Sequence, residues 1–256
     1  MDFDGDFSLW QRKIAESLEG TARRLAVLEA LSIKTGQAIL DLGCGGGHLV
    51  RDIALAVGDS GRAVGLDASA DQLDAATDHC SRLASVELIE GSASDMAFED
   101  GSFDALASIQ MLEYIVDVDA ALAEVRRVLK TGGKAVLISV LWDHWRFHGP
   151  DPDLNDRMHE IWRGHCPHQM LPFEMTARLG AAGFDGVEQK PLAFINSTMH
   201  ENAFARWAAR LVAAFAIGKG VDKDDSALWL DQLARADSEQ RFGFVSVPVL
   251  TTAVAV

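Results

Sequence analysis

Asp41-Leu42-Gly43-Cys44-Gly45-Gly46-Gly47, preceded by the apolar run Ala38-Ile39-Leu40 and followed by Leu49, Ile53 and Val57 at helical spacing, decides the fold. A strand that ends in a glycine loop and turns straight into an amphipathic helix is the opening unit of a parallel sheet covered by helices. Glycine suits such a loop because a ligand must approach the backbone closely, where a side chain would block it. A ligand-free turn would carry the entropy cost of so many glycines with no packing in return.

The alternation continues downstream. Ala63-Val64-Gly65-Leu66 gives a second strand ending at Asp67, and Ser69-Ala70-Asp71-Gln72 reads as a capping box before Leu73, Ala76, Cys80 and Leu83. Val86–Ile89 and Phe103–Ile109 are the third and fourth strands. Val118, Leu122, Val125 and Leu129 stripe a helix terminated by Thr131-Gly132-Gly133, and Ala135–Val140 is the fifth strand. Right-handed crossovers make these units a Rossmann-like, doubly wound α/β sheet with helices on both faces. Its ligand crevice lies at the carboxyl ends of the strands.

Beyond Leu141 the pattern changes. Residues 142–171, rich in His, Trp, Asp and Pro, read as irregular chain with one helix at Leu154–Trp162. A helix Phe173–Ala182 closed by Gly183 and a strand Val187–Phe194 follow. Two more helices come next, one striped by Phe204, Trp207, Leu211 and Phe215, the other at Asp225–Ala236. An extended tail, Phe242–Val256, completes a mostly parallel, seven-stranded sheet. Before the first strand, Phe7–Leu31 reads as one or two amphipathic helices.

Composition narrows the function. A net charge of −15 leaves no basic footprint for nucleic acid beyond short pairs such as Arg23-Arg24 and Arg126-Arg127. The same charge opposes steady residence on an anionic membrane. Cys44, Cys80 and Cys166 match no zinc or redox spacing and suit a reducing compartment. With no apolar leader and no run of spanning length, the expected location is the cytoplasm. Only the acidic Met1–Asp6 is expected to be disordered.

Asp67 stands where a ribose-binding carboxylate belongs in a dinucleotide-type site. A pyrophosphate ligand wants Gly-x-Gly-x-x-Gly and no carboxylate in the turn. A sulfonium ligand with an amino-acid tail tolerates Asp41, whose charge attracts its ammonium. The string favours the second.

Ile39–His48 followed by Val64-Gly65-Leu66-Asp67-Ala68-Ser69 resembles the first two motifs of class I S-adenosylmethionine-dependent methyltransferases. Gly91–Phe98, Gly101-Ser102-Phe103-Asp104 and Ala120–Gly133 resemble the rest of that core, as found in the ubiquinone/menaquinone-biosynthesis subgroup. The resemblance implies S-adenosyl-L-methionine as cofactor and a small-molecule methyl acceptor. It implies that Asp41, Gly43, Cys44 and Gly45 cradle the methionine part, that Asp67 accepts from the ribose hydroxyls, and that Ala68 packs on the adenine. Ser92 and Ala93 would flank the adenine edge, and Gln110 with Met111 would close over the sulfonium. Many relatives carry an acidic residue at Ser92, so this chain departs from them at that contact. The expected organisation is one domain over 1–256, with N-terminal helices at 7–36 and a cofactor-binding core at 37–141. A lid at 142–171 and 199–236 would bind the acceptor. A homodimer stands among the open assemblies.

Methyl transfer from a sulfonium needs alignment, with a base only where the nucleophile must lose a proton. Candidates for that base follow the fifth strand among Trp142, Trp145, Phe147 and Trp162: Asp143, His144, His148, His165 and His168. His165 and His144 lead them, and no metal is expected, because Asp143, His144, His148, Asp151 and Asp153 have no convergent spacing. Glu113 and Tyr114 read equally as a loop turn or as a polar floor for the acceptor. The Phe204 stripe reads as core, and Cys166 as the cysteine with a chance of exposure. Protein methylation, or a SAM-binding protein without methyl transfer, are the alternatives.

Overall fold

A computed structural model describes residues 6–256. The first half of the chain lays down α1 (Asp6–Glu16), α2 (Leu18–Leu31), β1 (Ala38–Leu42), α3 (His48–Val57) and β2 (Arg62–Asp67). It continues with α4 (Ala70–Cys80), β3 (Val86–Glu90), β4 (Phe103–Ile109), α5 (Val118–Val128) and β5 (Leu129–Val140). The second half adds β6 (Arg146–His148), α6 (Pro152–Trp162), α7 (Met175–Ala181), β7 (Phe184–Pro191) and β8 (Phe194–Asn196). It closes with α8 (Phe204–Gly218), α9 (Lys223–Ser238), β9 (Gly243–Ser246) and β10 (Pro248–Ala255). The expectation for Met1–Asp6 lies, Asp6 apart, outside the described residues.

The seven-stranded sheet runs β3-β2-β1-β4-β5-β10-β7, as the alternating pattern led one to expect. The first five strands are parallel, and β10 lies antiparallel to both β5 and β7. Strand order reverses between β1 and β4, which opens a crevice at their carboxyl ends. Alternate residues feed opposite faces, as a pleated strand requires. Leu40, Leu106 and Leu137 pack beneath α5 and α7, while Ile39, Ala107, Val136 and Ile138 pack beneath α2 and α3.

Three local readings are corrected. Helix α5 stops at Val128, because Leu129 turns extended and pairs with Phe103. The glycines expected to end the helix lie instead inside β5, at a shift in its register with β4. The strand expected at Val187–Phe194 is two elements: β7 ends at Pro191, and Phe194 opens β8. The extended tail is likewise broken, β9 leaving the main sheet to sit between β6 and β8 in a second, three-stranded sheet.

That small sheet, with α6, α8 and α9, builds a separate apolar cluster holding Trp142, Trp145, Phe147, Trp162, Trp229 and Phe244. Trp229 is fully buried, and its indole donates to Asn155 Oδ1 at 3.0 Å. Phe7, Trp10 and Ile14 of α1 pack against the same cluster, so the N-terminal helix belongs to this layer. No helix among the described residues is long and apolar enough to cross a membrane.

Candidate functional site

β1 ends in the glycine loop, and the loop is shaped by its hydrogen bonds to β2. Gly43 N and Cys44 N both donate to Leu66 O, at 2.7 and 3.1 Å. Asp67, at the end of β2, accepts from Gly45 N at 2.8 Å and from Ser69 N at 3.0 Å. One carboxylate therefore ties the glycine loop to the start of α4. The capping box is half made: Ser69 Oγ accepts from Gln72 N, but the Gln72 side chain donates to Gln11 of α1 instead of returning to Ser69.

Two glycines are required where they stand. Gly43 has φ +74°, and a Cβ there would lie 2.5 Å from Met111 Cγ. Gly45 has φ +50° with open space beyond it, the nearest atom to a Cβ being Gln72 Oε1 at 3.9 Å. The open space is a cavity of about 590 Å³, within the usual range for small-molecule sites. Asp41, Gly43, Cys44, Gly45, Asp67 and Ala68 line one end of it, with Ala93, Gln110 and Met111. Ser92 is exposed just beside this lining, its Oγ accepting from Ser94 N.

Asp41 is buried, and its Oδ2 has no hydrogen-bond partner. Burial, and then the nearby charge of Asp67, push its pKa up to about 8. An orphaned buried carboxyl at a glycine cradle fits a ligand bearing an ammonium, which would supply the missing partner. Because the folded pKa is raised, folding takes up a proton between about pH 4 and pH 8, so Asp41 costs stability increasingly as pH rises through that window. Asp41→Asn is therefore expected to raise the Tm of the ligand-free protein at pH 7, by roughly 2–4 °C for each kcal/mol relieved. The gain should vanish near pH 4, and calorimetric melting across the window checks both ends. Burial, with Asp41 and Asp67 nearby, pushes the Cys44 thiol well up and keeps it neutral.

The opposite end of the cavity is aromatic. Tyr114, Trp142, Trp145, Trp162, Phe204 and Leu211 line it. The core reading of the Phe204 stripe holds for Phe204, Leu211 and Phe215, the first two also reaching the cavity wall, but not for Trp207, which is half-buried outside that cluster. Glu113 is fully buried; its Oε1 accepts from Val140 N at 2.8 Å, while its Oε2 has no hydrogen-bond partner. Burial raises its pKa to about 7.

Neither leading histidine stands on the cavity wall. His144 is exposed in a single helical turn after β5. His165 is buried behind the wall, stacked on Trp162 at 4.1 Å, with Nδ1 held 2.6 Å from Trp162 O. Burial lowers its pKa to about 4, which leaves it neutral. Cys166 is also buried, as are Cys44 and Cys80.

The α1–α2 wall was not legible as part of the site. Gln11, Arg12, Gly20 and Arg23 line the cavity. The amphipathic pattern of Phe7–Leu31 announces helices without saying what they cover. Arg23 in particular reads in sequence only as half of a basic pair.

Residues 40–137 match the methyltransferase-domain family. A demethylmenaquinone methyltransferase of Staphylococcus carnosus is 35% identical over 115 residues, 45% of this chain and 48% of that protein. The chain matches less than half the length of the first curated relatives. The YcgJ protein of Bacillus subtilis shares the fold at a TM-score of 0.62 and 18% identity, over 92% of this chain and 98% of that one. A phosphoethanolamine N-methyltransferase of Haemonchus contortus, solved with S-adenosyl-L-methionine, does so at a TM-score of 0.60 and 22% identity. That match spans 91% of this chain and 52% of the other.

Proposed function

We propose that the chain is a class I S-adenosylmethionine-dependent methyltransferase, a reading supported by the match of residues 40–137 to the methyltransferase-domain family, and that it methylates a small, planar, largely apolar molecule. The observation that carries this reading is one continuous cavity, polar and glycine-lined at one end and aromatic at the other. When bound, S-adenosyl-L-methionine supplies a methyl group already activated on a sulfonium.

The chain's own residues then bind, orient and exclude water. Asp41 draws the ammonium, and Gly43, Cys44 and Gly45 admit the methionine part. Asp67 keeps free lone pairs for the ribose hydroxyls while its backbone bonds hold it in place. Ala68 packs on the adenine, whose edge Ser92 and Ala93 flank. Gln110 and Met111 cover the sulfonium end. Segments 142–171 and 199–236 act as the lid, joined by α1 and α2. Their Trp, Tyr and Phe rings hold the acceptor in line and keep water out. His144 and His165 lie off the wall, and His48, which lines it, is held neutral by burial, so alignment carries the reaction.

The test is release of S-adenosylhomocysteine from S-adenosyl-L-methionine, measured with a panel of phenolic, quinol, carboxylic and amine acceptors. Acceptor-dependent release is expected with at least one planar acceptor. Binding of the cofactor with no acceptor-dependent release across the panel would favour a SAM-binding protein without methyl transfer.

A further inference from the structure

Helix α2 carries a cation to the seam between the glycine cradle and the aromatic lid. Arg23 is only 4% exposed and lines the cavity. Its Nη1 donates to Gln110 Oε1. Its guanidinium lies 4.7 Å from the ring centre of Phe204 and 5.4 Å from that of Phe194, both in the lid layer. Nε and Nη2 are buried without a partner.

Nothing among the described residues neutralises this charge at ion-pair distance. Glu113 and Glu19 act on it through space without forming an ion pair, and Glu113 Oε2 is buried with no hydrogen-bond partner. Glu113 Oε1 accepts from Val140 N, and the two oxygens of Glu19 accept from Asn196 Nδ2 and Phe204 N. Burial drags the Arg23 pKa down to about 10, which still leaves it charged at neutral pH. A buried guanidinium with no anion at ion-pair distance is costly, and an anion from outside the chain would supply that partner.

The two unpaired nitrogens define that partner's shape. Nε–H and Nη2–H point side by side from one edge of the planar guanidinium, the fork that accepts both oxygens of a carboxylate. We propose that Arg23 binds the carboxylate of the methyl acceptor, so that the substrate is an aromatic carboxylic acid rather than an amine. This rests on the methyltransferase reading above. The guanidinium stands beside Phe194 of β8 and Phe204 of α8. A protonated amine would meet Arg23 as a like charge. An aromatic acid satisfies both halves of the chamber, its ring against the tryptophans and its carboxylate on the fork.

The cofactor has a carboxylate of its own, and the experiment separates the two sources. Benzoate and its neutral isostere benzamide are titrated by calorimetry into the full-length protein saturated with S-adenosylhomocysteine. Wild type is expected to prefer benzoate by about 10- to 100-fold, the yield of charge-assisted hydrogen bonds. Arg23→Gln should abolish the preference, and Arg23→Lys, which keeps the charge and loses the fork, should retain only a fraction. Affinity for S-adenosylhomocysteine and for 5′-methylthioadenosine, which lacks the carboxylate, should stay within about twofold in both variants, a difference too small for a lost charge-assisted bond. Equal or absent binding of the two probes by wild type overturns the proposal. So does an Arg23→Gln variant that loses S-adenosylhomocysteine while keeping 5′-methylthioadenosine, since Arg23 then serves the cofactor. A wild type that fails to bind S-adenosylhomocysteine overturns the underlying reading first, and circular dichroism of the variants separates misfolding from lost recognition.

Discussion

Replacing Asp67 with alanine is expected to weaken binding of S-adenosylhomocysteine by about 100- to 10,000-fold, the loss of two charge-assisted hydrogen bonds of about 1.5–3 kcal/mol each. The structure adds a second reason. Both oxygens of this carboxylate already accept backbone N–H groups, from Gly45 and from Ser69. Alanine therefore removes the ribose acceptor and unties the glycine loop from α4 together. Asp67→Asn separates the two effects, because its single carbonyl oxygen can still accept from one of those N–H groups. The asparagine variant should fall between wild type and alanine. Calorimetry with S-adenosylhomocysteine is the measurement, and unchanged affinity in the alanine variant would remove Asp67 from the site.

Gly45→Val is expected to abolish S-adenosylhomocysteine binding while the protein stays folded. The reason is local geometry. At φ +50° a β-branched residue is strained, but a Cβ meets no atom closer than 3.9 Å, so the loop can accept it without displacing the core. The valine methyl groups then occupy the space left for the ligand. The strain is expected to cost on the order of 1–3 kcal/mol of stability, visible as a lower Tm with a native-like far-ultraviolet spectrum. Gly43→Val differs, because its Cβ would strike Met111 at 2.5 Å and disturb the neighbouring chain as well. Normal affinity in Gly45→Val would mean that the loop does not cradle the ligand.

Legibility followed the range of the interactions involved. The central strands and their covering helices could be read because apolar runs and period-3.6 patterns are local consequences of a buried sheet and a one-faced helix. The glycine loop could be read because close approach to backbone leaves a compositional mark that few other causes leave. The three-residue strands β6 and β8 carry no period, and pairing with β9 across the chain is what makes them strands. The end of α5 was misplaced for a similar reason: Leu129 keeps the helical spacing of its neighbours, but its backbone is claimed by Phe103 of β4.

By itself, then, the sequence determined the doubly wound core, the crevice at its carboxyl edge and the acidic residue at the end of β2, because each is written in adjacent residues. Only the tertiary structure decided which side chains face the space above that crevice. His165, a prominent residue in a loop, is packed behind Trp162, and His144 points away to solvent. Arg23, unremarked in a basic pair, is buried at the cavity wall by the packing of α2 against Gln110 and Phe204. A side chain's chemistry is set by its residue type. Its burial, partners and access to a ligand are set by contacts between segments far apart in the chain, and no local pattern encodes them.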